Sequence, residues 1–257
     1  MRAYSRWYVG SLLAFGVFAA LVAGCGGGNN NDQRPQIRTF NAFVPAAGTA
    51  GPVAVTVNGT VIASNVQFGT FVPSNGFIRV NNGVFNPSVS GTGIVNPIQF
   101  AIPPNVSNNT QYFLVTAGQE GAIGPLAPQL FLLPVYNCNT NPVPAGQVAV
   151  RVVNLAPGLG ATSLFTTSNG NTTLVNATLS NLDFGFNAVT NGFVFVPVGS
   201  LANLSLQTAA NPGTNLVLTN SNLTTTNFIP GHAYTIFIVG TSGNVNQPLT
   251  AVVVQDC

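Results

Sequence analysis

From Ile37 onward the chain is a succession of short runs rich in Val, Ile, Phe and Thr, broken at intervals of roughly eight to twelve residues by Gly, Pro and Asn, with no sustained helical period. That spacing is the pattern of short strands joined by turns in an all-β sandwich or barrel. The first run, Ile37 to Val44, closes at Pro45. Next come Val53-Ala54-Val55-Thr56-Val57, the pair Asn58-Gly59, and Thr60-Val61-Ile62-Ala63. Alternating apolar residues around Asn-Gly predict a hairpin, because both turn residues accept positive φ. Further strands are predicted at Val66–Val72, Gly76–Val80, Pro97–Ile102, Gln111–Ala117 and Gln129–Tyr136. The stretch Asn137 to Gly146, broken by Pro142 and Pro144, reads as a linker.

Beyond it the pattern restarts as a repeat. Arg38-Thr39-Phe40-Asn41 is echoed by Arg151-Val152-Val153-Asn154, with Pro45 and Pro157 shortly after. Phe68-Gly69 and Asn75-Gly76-Phe77-Ile78 recur as Phe184-Gly185 and Asn191-Gly192-Phe193-Val194. Tyr112 to Gly118 corresponds to Tyr234 to Gly240, and Val135-Tyr136-Asn137-Cys138 to Val254-Gln255-Asp256-Cys257. Blocks in the same order predict two homologous domains. This order of Arg-Val-Val-Asn-x-x-Pro, a Val-x-Val-Asn-Gly hairpin, Phe-Gly and a late Gly-x-x-Tyr-Thr strand resembles the bacterial domain-of-unknown-function (DUF) family 4397, from Ile37 to Cys257. The second repeat departs at the hairpin, where Leu164 to Ser168 precede Asn169-Gly170 without clean alternation. The first departs at the late strand, with Asn109-Thr110-Gln111-Tyr112-Phe113 in place of Gly231-His232-Ala233-Tyr234-Thr235. The resemblance implies tandem exported domains. It transfers no functional residue, because the family carries no assigned activity.

The N-terminus changes the picture of location. Arg2 and Arg6 precede an apolar segment, Trp7 to Leu21, that is short for a membrane span and ends in Leu21-Val22-Ala23-Gly24-Cys25. This resembles the signal of bacterial lipoproteins, and the resemblance implies that Cys25 is the lipid-attachment residue, held on the membrane through N-terminal acyl chains. Gly26 to Asn31 then forms a flexible Gly/Asn tether. With glycine rather than aspartate at residue 26, the same resemblance implies an outer-membrane address, on the periplasmic face or the cell surface.

Charge narrows the partners. All six basic residues are arginine. Without the signal, Arg34, Arg38, Arg79 and Arg151 stand against Asp32, Glu120, Asp183 and Asp256, and four minus four is zero. The precursor pI of 8.6 is therefore no sign of a basic surface. Nucleic acid is excluded as a partner, since phosphate binding needs clustered Lys and Arg. Near-zero charge gives little repulsion between copies and favours self-association. Few carboxylates also predict a stability that depends little on pH.

Candidate chemistry is sparse. His232 is the one histidine, and it lies before the apolar strand Tyr234 to Val239 with no Gly-x-Ser-x-Gly elbow anywhere, so catalytic residues are set at none. One histidine, scattered carboxylates and two distant cysteines offer no zinc spacing, and no Asp-x-Asp-x-Asp-Gly calcium loop occurs; metal and cofactor are set at none. Asp183-Phe184-Gly185 has the letters of a kinase motif, but its counterpart Gln67-Phe68-Gly69 lacks the acid, so Phe-Gly reads as strand-turn packing. Cys138 and Cys257 follow the last strand of each repeat. They form one intramolecular bridge, or Cys257 stays free or pairs between molecules; against the bridge stands an odd strand number, which would set each domain's ends at opposite poles.

The sequence thus predicts an all-β chain. A lipoprotein signal peptide (1–24) and tether (25–36) lead to two tandem antiparallel β-sandwich domains, Ig-like or transthyretin-like, at 37–137 and 147–257, joined by a linker at 138–146. It reads as a non-enzymatic, lipid-anchored cell-envelope protein with a structural or adhesive role toward glycans or envelope proteins. The alternative is a periplasm-facing module that binds a small ligand or an envelope partner.

Overall fold

A computed structural model describes residues 33–45, 51–101, 103–168, 171–185, 192–208, 215–216, 222–242 and 244–257. The chain divides into two compact units, Met1–Gln33 and Arg34–Cys257, and every described strand belongs to the second. The first repeat contributes β1 (Gln36–Val44), β2 (Val53–Val57), β3 (Thr60–Val66), β4 (Phe71–Val72), β5 (Ile78–Arg79), β6 (Gly83–Val84), β7 (Pro87–Gly91), β8 (Ile98–Gln99), β9 (Asn105–Val106), β10 (Gln111–Gln119) and β11 (Gln129–Pro134). The second contributes β12 (Gln147–Asn154), β13 (Thr162–Ser168), β14 (Asn171–Leu174), β15 (Val194–Pro197), β16 (Leu204–Thr208), β17 (Ala233–Val239) and β18 (Thr250–Gln255). The chain is all-β: the described helical turns are short 3-10 segments, and no described helix is long and apolar enough to cross a membrane.

Each repeat builds an inner and an outer sheet. In the first, β11-β10-β1-β4 form the inner sheet, with β5 also on β1, and β3-β2-β7-β8 form the outer. In the second, β15-β12-β17-β18 are inner and β14-β13-β16 outer. Ile37, Val55, Phe85, Val89 and Leu114 fill the first sandwich. Val150, Leu164, Leu206, Ile236 and Ile238 fill the second. A third apolar layer, with Phe40, Phe113, Leu133, Val153 and Phe237, joins the two inner sheets face to face. The inner sheets are therefore buried on both sides, which is why β17 reads Ile236-Phe237-Ile238 rather than alternating: the isoleucines face their own sandwich and Phe237 faces the other repeat.

The predicted hairpin is present, with Asn58 at φ 49° and Gly59 at φ 80° between β2 and β3. The single strand predicted at Val66–Val72 is divided instead, because the Gln67–Thr70 turn carries the chain from the outer sheet to the inner one. Strand β7 escapes the pattern because Pro87 opens it, and a first position is where a strand accepts proline.

Neither sandwich is wholly antiparallel. β1 pairs in parallel with β10, and β12 with β17, because the chain crosses to the outer sheet between them and returns in the same direction. β11 and β18 then run back beside β10 and β17. Each repeat thus ends at the pole where it began, which removes the expected separation of its ends. The β10–β11 and β17–β18 hairpins make that return. Gly118 and Gly240, at φ 110° and 90°, let the backbone pass against the carbonyls of Ala127 and Pro248, where any side chain would collide.

Phe237 is fully buried, with ring centroids 5.0 Å from Phe40 and 5.7 Å from Phe113 of the other repeat. Phe237→Ala is expected to lower stability by about 3–5 kcal/mol. Because the joint core belongs to both repeats, urea unfolding followed by fluorescence and by circular dichroism is expected to remain one coincident transition. Two separate transitions in the parent chain would show that the repeats fold independently.

Candidate functional site

The repeated residues hold the same positions in both halves. Asn41 lies toward the end of β1 and Asn154 closes β12, and each side-chain Oδ1 accepts the backbone N–H two residues on, from Phe43 at 3.0 Å and Ala156 at 3.1 Å. Each Nδ2 donates to the carbonyl two residues before the Phe-Gly pair, Val66 or Leu182, at 3.0 Å. The glycine N–H, of Gly69 or Gly185, donates back to the same asparagine's carbonyl at 2.8 Å. Phe-Gly is thus a packing turn: Asp183 is exposed, and Phe184 stands edge-on to Phe131. Tyr112 and Tyr234 each accept, on the hydroxyl, the backbone N–H five residues upstream, from Ser107 at 3.1 Å and Ile229 at 2.9 Å.

Chemistry-bearing side chains gather at the pole where the repeats begin and end, here the lower pole. Cys138 and Cys257 form a disulfide with Cα atoms 6.0 Å apart. Beside it Arg151, midway along β12, faces the joint core. Its Nη1 donates to the Pro134 carbonyl and its Nη2 to Thr235 Oγ1, both at 3.0 Å, and its guanidinium lies 4.5 Å over the Phe193 ring. Thr235 Oγ1 in turn donates to Asp256 Oδ1 at 2.8 Å, the Tyr136 N–H donates to Asp256 Oδ2 at 3.0 Å, and Arg151 Nη2 lies 3.7 Å from that oxygen. Both charged side chains are almost fully buried, at 3% and 0% exposure. Burial pushes Asp256 above the usual carboxylate range, against the pull of Arg151 and the hydrogen bonds, and pushes Arg151 below the usual arginine range.

His232 lies at the same pole. Its Nδ1 is 2.6 Å from the Cys257 carbonyl and 2.8 Å from Gln255 Nε2, so the imidazole is fastened to the chain terminus. Cys25 lies outside the described residues. Sequence reasoning missed the Arg151–Asp256 pair; the one signal for it was an arginine inside an otherwise apolar strand.

Two clefts lie at the opposite, upper pole. One of about 380 Å³ separates Gln119 of β10 from Pro157, Leu159, Thr241 and Ser242 of the second repeat, and no ionisable side chain lines it. The other, about 400 Å³, lies between the Gly93–Gln99 loop and Glu120-Gly121. Among the described residues no group of three or more His, Cys, Asp or Glu is placed to hold a metal ion.

The buried pair sets two expectations. Asp256→Asn leaves Arg151 buried without its counter-charge and is expected to cost about 3–5 kcal/mol, whereas replacing both residues by apolar ones of similar volume recovers most of that loss. A raised carboxylate pKa means that the folded chain holds the Asp256 proton more readily than the unfolded chain. Between the ordinary value of 3.8 and the raised one, this group's contribution falls as pH rises and returns on acidification. The urea midpoint is therefore expected not to fall between about pH 7 and about pH 5, and any gain is expected to vanish in Asp256→Asn. The disulfide closes a span of 119 residues, so Cys138→Ser with Cys257→Ser is expected to cost about 4–5 kcal/mol on the chain-entropy account, read from the same midpoints.

No curated protein matches this chain. Among solved structures, a proposed cell adhesion protein from Bacteroides uniformis is similar at 11% identity over 88% of this chain and 100% of its own, with a TM-score of 0.21. The model of the family described as Domain of unknown function (DUF4397) matches residues 36–165, just over half of the 257 residues, running through the whole first repeat and into β13. The asparagine turn, the Phe-Gly pair and the β1–β10 ladder described above all fall inside that span, and the chain belongs to the DUF4397 family.

Proposed function

We propose that this chain is a non-enzymatic, lipid-anchored protein of the bacterial cell envelope, acting through its surface in a structural or adhesive role. The observation that carries this reading is the use made of the reactive side chains at the lower pole. His232, Asp256, Cys138 and Cys257 are all engaged in bonds that tie the chain terminus to the inner sheets. They act as fasteners, and the result is a rigid stack.

Residues 147–257 are read as a second copy of the same domain, supported by the matching asparagine, Phe-Gly, tyrosine and glycine contacts. The Leu21–Cys25 motif and the Gly/Asn tether support the anchor, with Cys25 acylated. The outer membrane is the proposed address. A second reading, a module that binds a small ligand or an envelope partner from the periplasm, draws its support from the two upper clefts.

Labelling cells with radioactive palmitate is expected to mark the chain and to fail on Cys25→Ser. Protease is then added to intact and to permeabilised cells. Digestion on intact cells supports adhesion at the cell surface; protection until permeabilisation favours the periplasmic reading. Turnover of model esters or glycans that disappears in His232→Ala would overturn the non-enzymatic assignment.

A further inference from the structure

The two sandwiches differ where their outer sheets reach the upper pole. In the second, β16 sends Leu204 and Leu206 into the core, and the two-residue period of a strand carries Thr208 to the same face. Thr208 is 6% exposed, and its hydroxyl is buried with no hydrogen-bond partner. Such groups are rare, because a hydroxyl taken from water without a partner loses its hydration and gains nothing in return. Its ladder neighbour Thr162 is buried as well, but donates its hydroxyl to the Leu182 carbonyl at 3.4 Å. At the same end of the first outer sheet the ladder pairs Val53 with Gly91, where any side chain on Gly91 would strike the Pro52 carbonyl. No hydroxyl stands at that place, so the unpaired one is peculiar to the second repeat.

Thr208 lines the cleft of about 380 Å³ between the repeats. Among the described residues the buried side-chain atoms without a partner are Arg151 Nε, Ser205 Oγ, Thr208 Oγ1 and Thr250 Oγ1, and only Thr208 belongs to either upper cleft. Gln119 enters the cleft from the first repeat, and Thr241 and Ser242 from the turn after β17. Leu159 and Leu216, which pack on the second core, supply its apolar side. This chemistry restricts the occupant. No ionisable side chain lines the cleft, so a charged molecule would give up its hydration for no counter-charge. A wholly apolar molecule would cover the polar residues and leave the Thr208 hydroxyl unpaired. A peptide strand is held through a free backbone edge, whereas these polar residues come from separate segments. Hydroxyls and primary amides both donate and accept, and they match groups that do the same, the hydroxyls of a sugar. A pyranose offers a rim of hydroxyls and a C–H face for the two leucines. The volume is near the low end of the roughly 300–1,000 Å³ of small-molecule sites and suits one ring rather than a chain of them.

We infer that this cleft is a binding site for one neutral sugar ring, whose hydroxyls pair with Thr208, Gln119, Thr241 and Ser242 while its C–H face lies on Leu159 and Leu216. The site needs both repeats, since the first supplies Gln119, and the joint core holds its two halves in register. The inference rests on the reading of a protein that acts through its surface and deepens it, by giving that surface a ligand, the terminal sugar of an uncharged glycan.

The test is a saturation-transfer difference NMR titration of the full chain with the methyl pyranosides of glucose, galactose, mannose and N-acetylglucosamine, in a polyoxyethylene detergent that itself carries no sugar. At least one pyranoside is expected to bind. Thr208→Val is expected to weaken it at least about tenfold while melting no lower than the parent, because the hydroxyl removed has no partner in the free chain. Gln119→Ala, in the other repeat, is expected to weaken the same sugar, and Gln99→Ala, in the other cleft, to leave it unchanged. Cationic glucosamine and the anionic methyl glycoside of glucuronic acid are expected to bind at least about tenfold more weakly than the neutral sugar. Should Thr208→Val melt lower than the parent, Gln119→Ala decides, and binding that survives it overturns the inference. So does a chain that binds none of the four pyranosides, or binding indifferent to Thr208→Val. Equal binding of the charged sugars, or of N-acetyl-dialanine amide as a neutral peptide, overturns it too. None of these outcomes bears on the anchor or the address, which the palmitate and protease experiments decide separately; sugar binding by a chain that proves periplasmic would remove the adhesive reading alone.

Discussion

The structure depends on the apolar layer between the two inner sheets. Phe40, Phe71 and Phe113 from the first repeat close on Phe237 from the second, with centroids between 5.0 and 5.8 Å from it. That layer makes each inner sheet a buried partition rather than a wall facing water. Polar groups on those strands must then look for partners inside the protein, and most find one, although Arg151 Nε and Thr250 Oγ1 are buried without a hydrogen bond. Asn41, Asn154, Thr39 and Thr235 are buried, and each is bonded to a backbone carbonyl, a backbone N–H or Asp256. The asparagine turn is the recurring solution at the top of the first inner strand. It satisfies the backbone where the chain leaves the inner sheet for the outer one, and it does so twice.

Double-sided burial also settles where the ends go. With β10 and β17 parallel to β1 and β12, a single return strand brings each repeat home to the lower pole. Cys138 and Cys257 can then meet although they are 119 residues apart, and Asp256 can reach Arg151 and the Tyr136 N–H across the joint. The disulfide and the ion pair are consequences of the layer order, and they close it at one end. The edge of the second inner sheet is closed differently. Asn222 Nδ2 donates to the Val253 carbonyl and Asn222 Oδ1 accepts the Val253 N–H, so one side chain covers two groups that β18 would otherwise present to a stray strand.

Local features were legible in the sequence, and relations across distance were not. Asn58-Gly59 announced its hairpin because the turn chemistry is contained in two residues. The repeat announced itself because Phe68-Gly69 and Phe184-Gly185 keep their spacing to Asn75 and Asn191. Parallel pairing could not be read, since apolar runs look alike whichever way their neighbours point. Face-to-face packing was visible only as a failure of alternation in Ile236-Phe237-Ile238, which a single sandwich also permits. The partnership of Arg151 and Asp256 joins residues more than a hundred apart, and a balanced count of four arginines and four acids does not say which of them meet.

The choice of arginine over lysine follows from the same burial. Arg38 and Arg151 occupy equivalent places on β1 and β12, and the guanidinium of each stands over a phenylalanine ring, 4.4 Å from the centroid of Phe71 and 4.5 Å from that of Phe193. Both also fork to fixed acceptors: Arg38 donates to the Pro73 and Ser74 carbonyls, Arg151 to the Pro134 carbonyl and the Thr235 hydroxyl. An ammonium is a compact, strongly hydrated point charge that can neither stack nor fork in this way, and carrying it to the rim of an apolar layer would cost its hydration without replacing it. A planar guanidinium replaces much of that hydration with a ring face and fixed carbonyls. The two arginines differ in one respect, the acid: Asp256 reaches Arg151, and the corresponding residue of the first repeat, Asn137, carries no charge. The asymmetry tracks depth. Arg38 stands near the margin of the joint core where water can reach it, while Arg151 is enclosed by both repeats and needs an anion to be tolerated there.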